Sequence, residues 1–316
     1  MFNSIIFVSV SNIYKMKPYP KVPDKGDPSD VLQMFPNYNL HLHCCRYWWL
    51  QHWEFKELSF PYWRIYHNSY KGAVLLYNNE EYALTPDKIV MIAPNTSYST
   101  RLHDNIIPEN GYSLEGGRIS ASSEQQLQAE QCILHLFIHF NIGIPYDNIS
   151  PGVFIYELTD HLKEKLQVIK RHLNYEHTHF SFYSSLAIQS LISDLLSDLP
   201  EESWNLITKD FRILEVLNYI EYHSSDELNN AILAQQSSMA TNAFTRLFTK
   251  EIGLSPQKYV KQKRIDKACI LLHHSDLQID EIATKTGFAD RYHFSRIFKQ
   301  ITKVSPARYK KAFGMK

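Results

Sequence analysis

No Cys-X-X-Cys pair occurs in this chain, and its four cysteines (Cys44, Cys45, Cys132 and Cys269) suggest no disulfide framework. That fits a reducing compartment, and a cytoplasmic protein is expected. No apolar run approaches the ~20 residues that a membrane span needs. The apolar stretch at residues 5–10 is short, no Lys or Arg precedes it, and no clear small-residue cleavage site follows it. Neither a signal peptide nor a membrane partner is expected; Met16 offers an alternative start. Phosphate-binding loops, dinucleotide glycine fingerprints and nucleophile elbows are also lacking. The sequence therefore nominates no catalytic residue and no cofactor, and it does not read as an enzyme.

Net charge is missing too, since 33 Lys+Arg balance 33 Asp+Glu. The balance hides a division. Residues 1–208 hold 15 basic and 22 acidic side chains, a net of −7, and residues 209–316 hold 18 and 11, a net of +7. A basic C-terminal third on a neutral protein points to a polyanionic partner for that third alone.

The same third contains a duplication. Residues 244–261, FTRLFTKEIGLSPQKYVK, return as residues 294–311, FSRIFKQITKVSPARYKK, at a constant offset of 50. Phe244/Phe294, Arg246/Arg296, Phe248/Phe298, Ser255/Ser305, Pro256/Pro306, Tyr259/Tyr309 and Lys261/Lys311 are identical pairs. In the second copy a helix beginning at Asp280 breaks at Thr286-Gly287-Phe288, and Asp290 is placed to cap a helix over 291–300. Helix, glycine turn and helix make a helix-turn-helix. Phe294, Ile297 and Phe298 form its buried stripe, leaving Arg291, Tyr292, Ser295 and Arg296 outward. The first copy places a supporting helix over 228–236 and a reader over 241–250. There Phe244, Leu247 and Phe248 face inward and Asn242, Thr245 and Arg246 outward. Arginine can bond guanine bidentately and asparagine adenine, so both outward sets suit double-stranded DNA. Ser255-Pro256 opens a long helix with Ile265, Ala268, Cys269 and Leu272 inward, a strut that could hold two readers about one DNA turn, ~34 Å, apart.

The run IDEIATKTGFADRYHFSRIFKQITKVSPARYK resembles the signature of the AraC/XylS family of transcription regulators. The resemblance covers 208–316 and implies two helix-turn-helix units in adjacent major-groove segments of promoter DNA. By motif position it assigns base contact to Asn242, Thr245, Arg246, Arg291, Tyr292, Ser295 and Arg296. Three departures stand out. Ala240 replaces a capping serine, Ser238 replaces the turn glycine, and Lys303 stands where the first copy has Gly253, so a left-handed cap there would be strained.

Ahead of this domain, residues 31–156 read as short strands separated by Asn78-Asn79, Thr85-Pro86-Asp87 and Ala93-Pro94-Asn95. Residues 104–130 read as a long loop. Residues 132–140 alternate, with Cys132, Leu134, Leu136, Ile138 and Phe140 on one face and Ile133, His135, Phe137 and His139 on the other. Residues 60–100 are similar to the cupin-like effector domain of such regulators, which implies a small β-barrel holding a small molecule such as a sugar. Trp63, Tyr66 and Tyr98 could stack on it, and Arg64, Asn68, His135 and His139 could fix its polar groups. A metal-dependent cupin enzyme is the rival: His41-x-His43 has ligand spacing and His139 could be a third ligand. No Glu follows His43 closely, however, and Tyr98 stands where a later His would be, so no metal ligand is assigned. A dimerisation module without ligand is a further alternative. Helical periodicity at Leu158, Leu162, Leu166 and Ile169, and at Leu186, Leu191, Leu195 and Leu199, suits dimerisation.

The expected architecture is multidomain α+β. A flexible tail occupies 1–30, the cupin-like barrel 31–156, a helical dimerisation segment with linker 157–207, and an all-α domain of two helix-turn-helix units 208–316. The expected protein is a homodimeric regulator that binds promoter DNA in response to a small-molecule effector and recruits RNA polymerase if it is an activator.

Overall fold

The computed structural model describes residues 38–109, 112–118, 132–173, 179–204 and 210–313. The expected N-terminal tail, residues 110–111 and 119–130 of the expected loop, and residues 174–178 and 205–207 of the expected helical segment and linker lie outside them. The strands are β1 (His41–Leu58), β2 (Trp63–Asn68), β3 (Ala73–Tyr77), β4 (Glu80–Leu84), β5 (Lys88–Ile92), β6 (Tyr98–Leu102), β7 (Tyr112–Arg118), β8 (Ile133–Asn141) and β9 (Val153–Glu157). β-Branched and aromatic residues favour these strands. Asn78 and Asn79 both take positive φ, the two-residue turn that matches strand twist, and so close the β3–β4 hairpin.

All pairings are antiparallel, and the sheet runs β4-β3-β6-β1-β8-β2-β5-β9, with β7 added on β1. Leu50 of β1 pairs with Ile133 of β8 on one edge and Gly116 of β7 on the other. Phe55 pairs with Thr100 of β6 opposite Tyr112 of β7. Since β7 keeps one edge, β8 and β6 share the other in succession. The sheet therefore divides into two wings that curl around a common interior, and the expected barrel is an open, curled antiparallel sheet. Register shifts at Leu42/Cys44, Leu50/His52 and Phe55/Leu58 bend β1 between its partners. β7 lies where the sequence suggests only a loop. Gly116 explains the strand, because any side chain there would overlap the Trp49 carbonyl.

The alternation expected for β8 is present, and both of its faces are buried. Cys132, Leu134, Leu136, Ile138 and Phe140 join Trp63, Ile65, Ile89 and Met91 on the outer face. Helices α1 (Asp160–His172) and α2 (Phe182–Ser197) cover that face with Leu162, Leu166, Ile169, Ile188, Leu191, Ile192 and Leu195. Most of the leucine periodicity is thus spent on the sheet. Leu186 is the exception, exposed beside Phe182 and Tyr183 on the first turns of α2.

The C-terminal domain comprises α3 (Phe211–His223), α4 (Asn230–Gln236), α5 (Thr241–Ile252), α6 (Pro256–His274), α7 (Ile279–Lys285), α8 (Arg291–Thr302) and α9 (Pro306–Phe313). One core gathers Ile213, Leu217, Leu233, Phe244, Phe248, Tyr259 and Val260 around the first copy. A second gathers Ile265, Cys269, Leu272, Ile282, Phe294, Phe298 and Tyr309, and it is continuous with the interior of the sheet. α6 enters both cores, as the strut reading requires. The readers repeat at an offset of 50, but α4 and α7 end at Gln236 and Lys285. The second turn is therefore one residue longer than the first.

Lys303 ends α8 at φ 66°, where Gly253 ends α5 at φ 76°. The strain expected of a left-handed lysine is present. Lys303→Gly relieves about 1–2 kcal/mol of it, less the roughly 0.5–1 kcal/mol that glycine costs through the unfolded chain. A net gain of about 0.5–1 kcal/mol is expected, read as a higher urea midpoint at unchanged slope.

Candidate nucleic-acid interface and buried polar cluster

The two readers present one surface twice. From Thr241 and from Arg291, the residues of α5 and α8 run exposed, exposed, half-buried, buried, half-buried, exposed, half-buried, buried, exposed, exposed. Asn242, Arg246, Arg291, Tyr292 and Arg296 are exposed, and Thr245 and Ser295 are half-buried at matching positions. Tyr292 is 86% exposed, far more than an aromatic ring adopts to stabilise its own fold. The Thr245 hydroxyl is committed to the Thr241 carbonyl at 2.8 Å, which leaves its methyl group as the part free for contact. Arg291 is 3.4 Å from Asp280, an exposed pair that gives up its arginine at little cost. Asp290 accepts from the His293 amide at 2.8 Å and caps α8, whereas Ala240 gives α5 no side-chain cap. In the turns, Ser238 and Gly287 both take positive φ. The Met239 and Phe288 amides reach back to the Ala234 and Ala283 carbonyls, which ends both supporting helices in the same way.

Sequence reasoning misses what joins the two units. Arg264, midway along α6, donates to the carbonyls of Ser224, Asp226 and Gly287, each at 2.7 Å. Ser225 donates to the Lys285 carbonyl and accepts from Lys267. A side chain at Gly287 would overlap the Ser225 backbone. The loop after α3 and the turn before α8 are therefore held together by one guanidinium. Arg264 looks like one more charge in a basic helix, and nothing in its sequence context separates it from Lys263 or Lys267. Arg264→Ala is expected to cost about 1.5–3 kcal/mol by leaving carbonyls unpaired. Urea unfolding reads that loss, and DNA affinity should fall although the residue faces no groove.

A second set of predicted residues meets inside the sheet. Arg64 is buried, and its guanidinium lies 3.2 Å from the Phe60 ring centroid. It donates to Tyr66 Oη at 2.6 Å, Tyr98 Oη at 3.0 Å and Tyr62 Oη at 2.9 Å. His135 Nδ1 lies 2.6 Å from Asn68 Oδ1, and its ring is 4.8 Å from that of Tyr66. Burial first, and then neighbouring His67 and Arg64, hold His135 well below the ordinary imidazole range; burial and Arg64 do the same for His139. Arg64, Tyr66, Asn68, Tyr98, His135 and His139 thus share one interior. Trp63 does not join them. It sits on the opposite side of β2, donates to Asp147 Oδ1 at 3.0 Å and stacks on Phe140. His41 is exposed and His43 Nε2 is bonded to Asn141 Oδ1 at 2.7 Å, so the His-x-His pair does not converge. Among the described residues, the donor atoms that do converge are those of Cys44, His139 and His274.

Residues 233–312 match the family model described as a helix-turn-helix domain. Over 121 residues the chain is 35% identical to the HTH-type transcriptional activator RhaS of Escherichia coli (strain SE11), covering 38% of this chain and 42% of that protein. RhaS of Klebsiella pneumoniae (strain 342) matches with the same identity and coverage. The crystal structure of apo ToxT K231A from Vibrio cholerae strain SCE256 is similar at 14% identity and TM-score 0.48, over 87% of this chain and 97% of that one. The DNA-binding domain of AdpA in complex with a target DNA is similar at 27% identity and TM-score 0.32, over 32% and 92%. Among the described residues no helix is long and apolar enough to cross a membrane.

Proposed function

We propose that this chain, whose C-terminal part is an AraC-type helix-turn-helix domain, is a transcription regulator that binds duplex promoter DNA through α5 and α8. The repeated exposure pattern carries this reading: two readers keep an outward arginine at one register, on the C-terminal third of the chain with net charge +7. Asn242, Thr245 and Arg246 read one major-groove segment, and Arg291, Tyr292, Ser295 and Arg296 read the next. The relatives are named activators, so the regulator acts by recruiting RNA polymerase in the cytoplasm. A second copy of the chain docks on the exposed Phe182, Tyr183 and Leu186 of α2.

The N-terminal interior holds the effector. Phenols and neutral imidazoles suit a hydroxylated molecule, and the buried guanidinium of Arg64, which bonds phenols rather than a carboxylate, suits an acidic group on it. Tyr62 links that guanidinium to α6, since its hydroxyl also shares a 2.7 Å hydrogen bond with His273 Nδ1. An effector at Arg64 therefore acts directly on the helix that spans both readers. It shifts DNA affinity only by binding one arrangement of that helix more tightly than another.

The test is binding of the full-length protein to DNA from upstream of its own gene across a salt series. Site-selective binding with a steep negative slope of log K on log salt is the expected result. Weak binding that is blind to sequence would overturn the reading.

A further inference from the structure

We propose that Cys44, His139 and His274 form a binding site for one thiophilic metal cation, zinc or cuprous copper, that joins the N-terminal sheet to the end of α6. The ligating atoms of these residues all lie within 4.8 Å of one another. Cys44 and His139 are direct cross-strand partners on β1 and β8, and His274 ends α6 on the other half of the molecule. The bulge at Leu42/Cys44 sets which cysteine is available. Leu42 pairs with Phe140 on the outer face, and the extra residue, His43, flips the register so that Cys44 pairs with His139 on the inner face. Cys45 then turns outward into the core beneath the helices.

The spacing suits a metal. His139 Nδ1 and His274 Nε2 are 3.3 Å apart. Two imidazole nitrogens on a tetrahedral ion at about 2.05 Å are separated by about 3.3 Å. The second ring nitrogen of His139 is buried and makes no hydrogen bond, so the 3.3 Å contact with His274 is the polar contact that engages this imidazole. One thiolate and two imidazoles are a soft to borderline donor set, selective for zinc or cuprous ions over calcium or magnesium. Burial pushes the Cys44 thiol up to about 11, so binding exchanges its proton for the metal and releases that proton to solvent. After that exchange zinc adds one positive charge beside Arg64 and a cuprous ion adds none.

The site does not depend on the DNA-binding reading, and metal binding tests it alone. Full-length protein is stripped with a chelator, reduced, and titrated anaerobically with Co2+ as the zinc probe and with Cu+ against a chromogenic chelator. The expected result is one equivalent of Co2+ with near-ultraviolet thiolate-to-cobalt absorption, or one equivalent of Cu+ held against the chelator. Cys44→Ser and His274→Gln should each weaken binding at least tenfold, and Cys45→Ala should leave it intact. His274 is half-buried at a helix end, so His274→Gln keeps the test open if Cys44→Ser disturbs the sheet; far-ultraviolet circular dichroism checks both folds. No stoichiometric binding of either ion, or binding and thiolate absorption that survive in folded Cys44→Ser and His274→Gln, would overturn the proposal.

Discussion

Alanine at both Arg246 and Arg296 is expected to weaken binding to the protein's own operator by about 2–6 kcal/mol. This is the sum of two losses of about 1–3 kcal/mol, each the worth of one arginine read against a base edge. The residues lie on different helices with different cores, so the losses should add to within about half a kcal/mol. Each arginine is exposed and flanked by half-buried neighbours, and neither takes part in the core beneath it. Folding should therefore be unaffected, and the deficit should appear only with DNA. Fluorescence anisotropy at one fixed salt concentration checks it, because phosphate contacts would otherwise dominate the comparison. A double variant no weaker than Arg296→Ala alone would remove α5 from base reading. Undiminished binding by Arg296→Ala would remove α8. The first reader begins with less local support than the second, since Ala240 leaves α5 without a side-chain cap.

The DNA-reading half is legible because its signal is local and repeated. A period of 3.6, a turn and a cap fall within a short window, and the second copy checks the first. The structure adds the longer second turn and Arg264, whose three carbonyl partners come from segments distant in sequence. The N-terminal half is legible by face rather than by function. Alternation in β2 and β8 correctly separates inward from outward residues on β8 and brings Arg64, Tyr66, Asn68, His135 and His139 to one side. Trp63 breaks the grouping through the same alternation, since it sits next to Arg64 and must face away. β7 escapes notice because Leu114 is the single aliphatic residue in a strand with two glycines, and its reason for pairing is the close approach at Gly116. Cys44 and His274 cannot be paired from sequence, because a bulge decides which of two adjacent cysteines turns inward.

The continuity between the second reader's core and the sheet gives the last prediction. Phe248→Ala and Phe298→Ala are the same substitution at equivalent positions, and both side chains are fully buried. Each should cost about 3–5 kcal/mol. What differs is what each core touches. Phe298 lies 5.5 Å from the Tyr309 ring, and Tyr309 lies 6.4 Å from Phe60, whose ring also covers Arg64. Phe248 belongs to a core that meets the N-terminal half through Ile144. The five tryptophans, Trp48, Trp49, Trp53, Trp63 and Trp204, all precede α3, so intrinsic tryptophan fluorescence reports on the N-terminal half alone. Thermal unfolding followed by that fluorescence should shift downward in Phe298→Ala and stay near the parent midpoint in Phe248→Ala, while circular dichroism registers helix loss in both. Equal shifts of the fluorescence midpoint would mean that the cores unfold as one cooperative unit. No shift in either variant would mean that the contact between the second reader's core and the sheet, through Tyr309 and Phe60, carries no stability. In that case coupling between Arg64 and the readers would have to run through the Tyr62–His273 hydrogen bond rather than through the packed core.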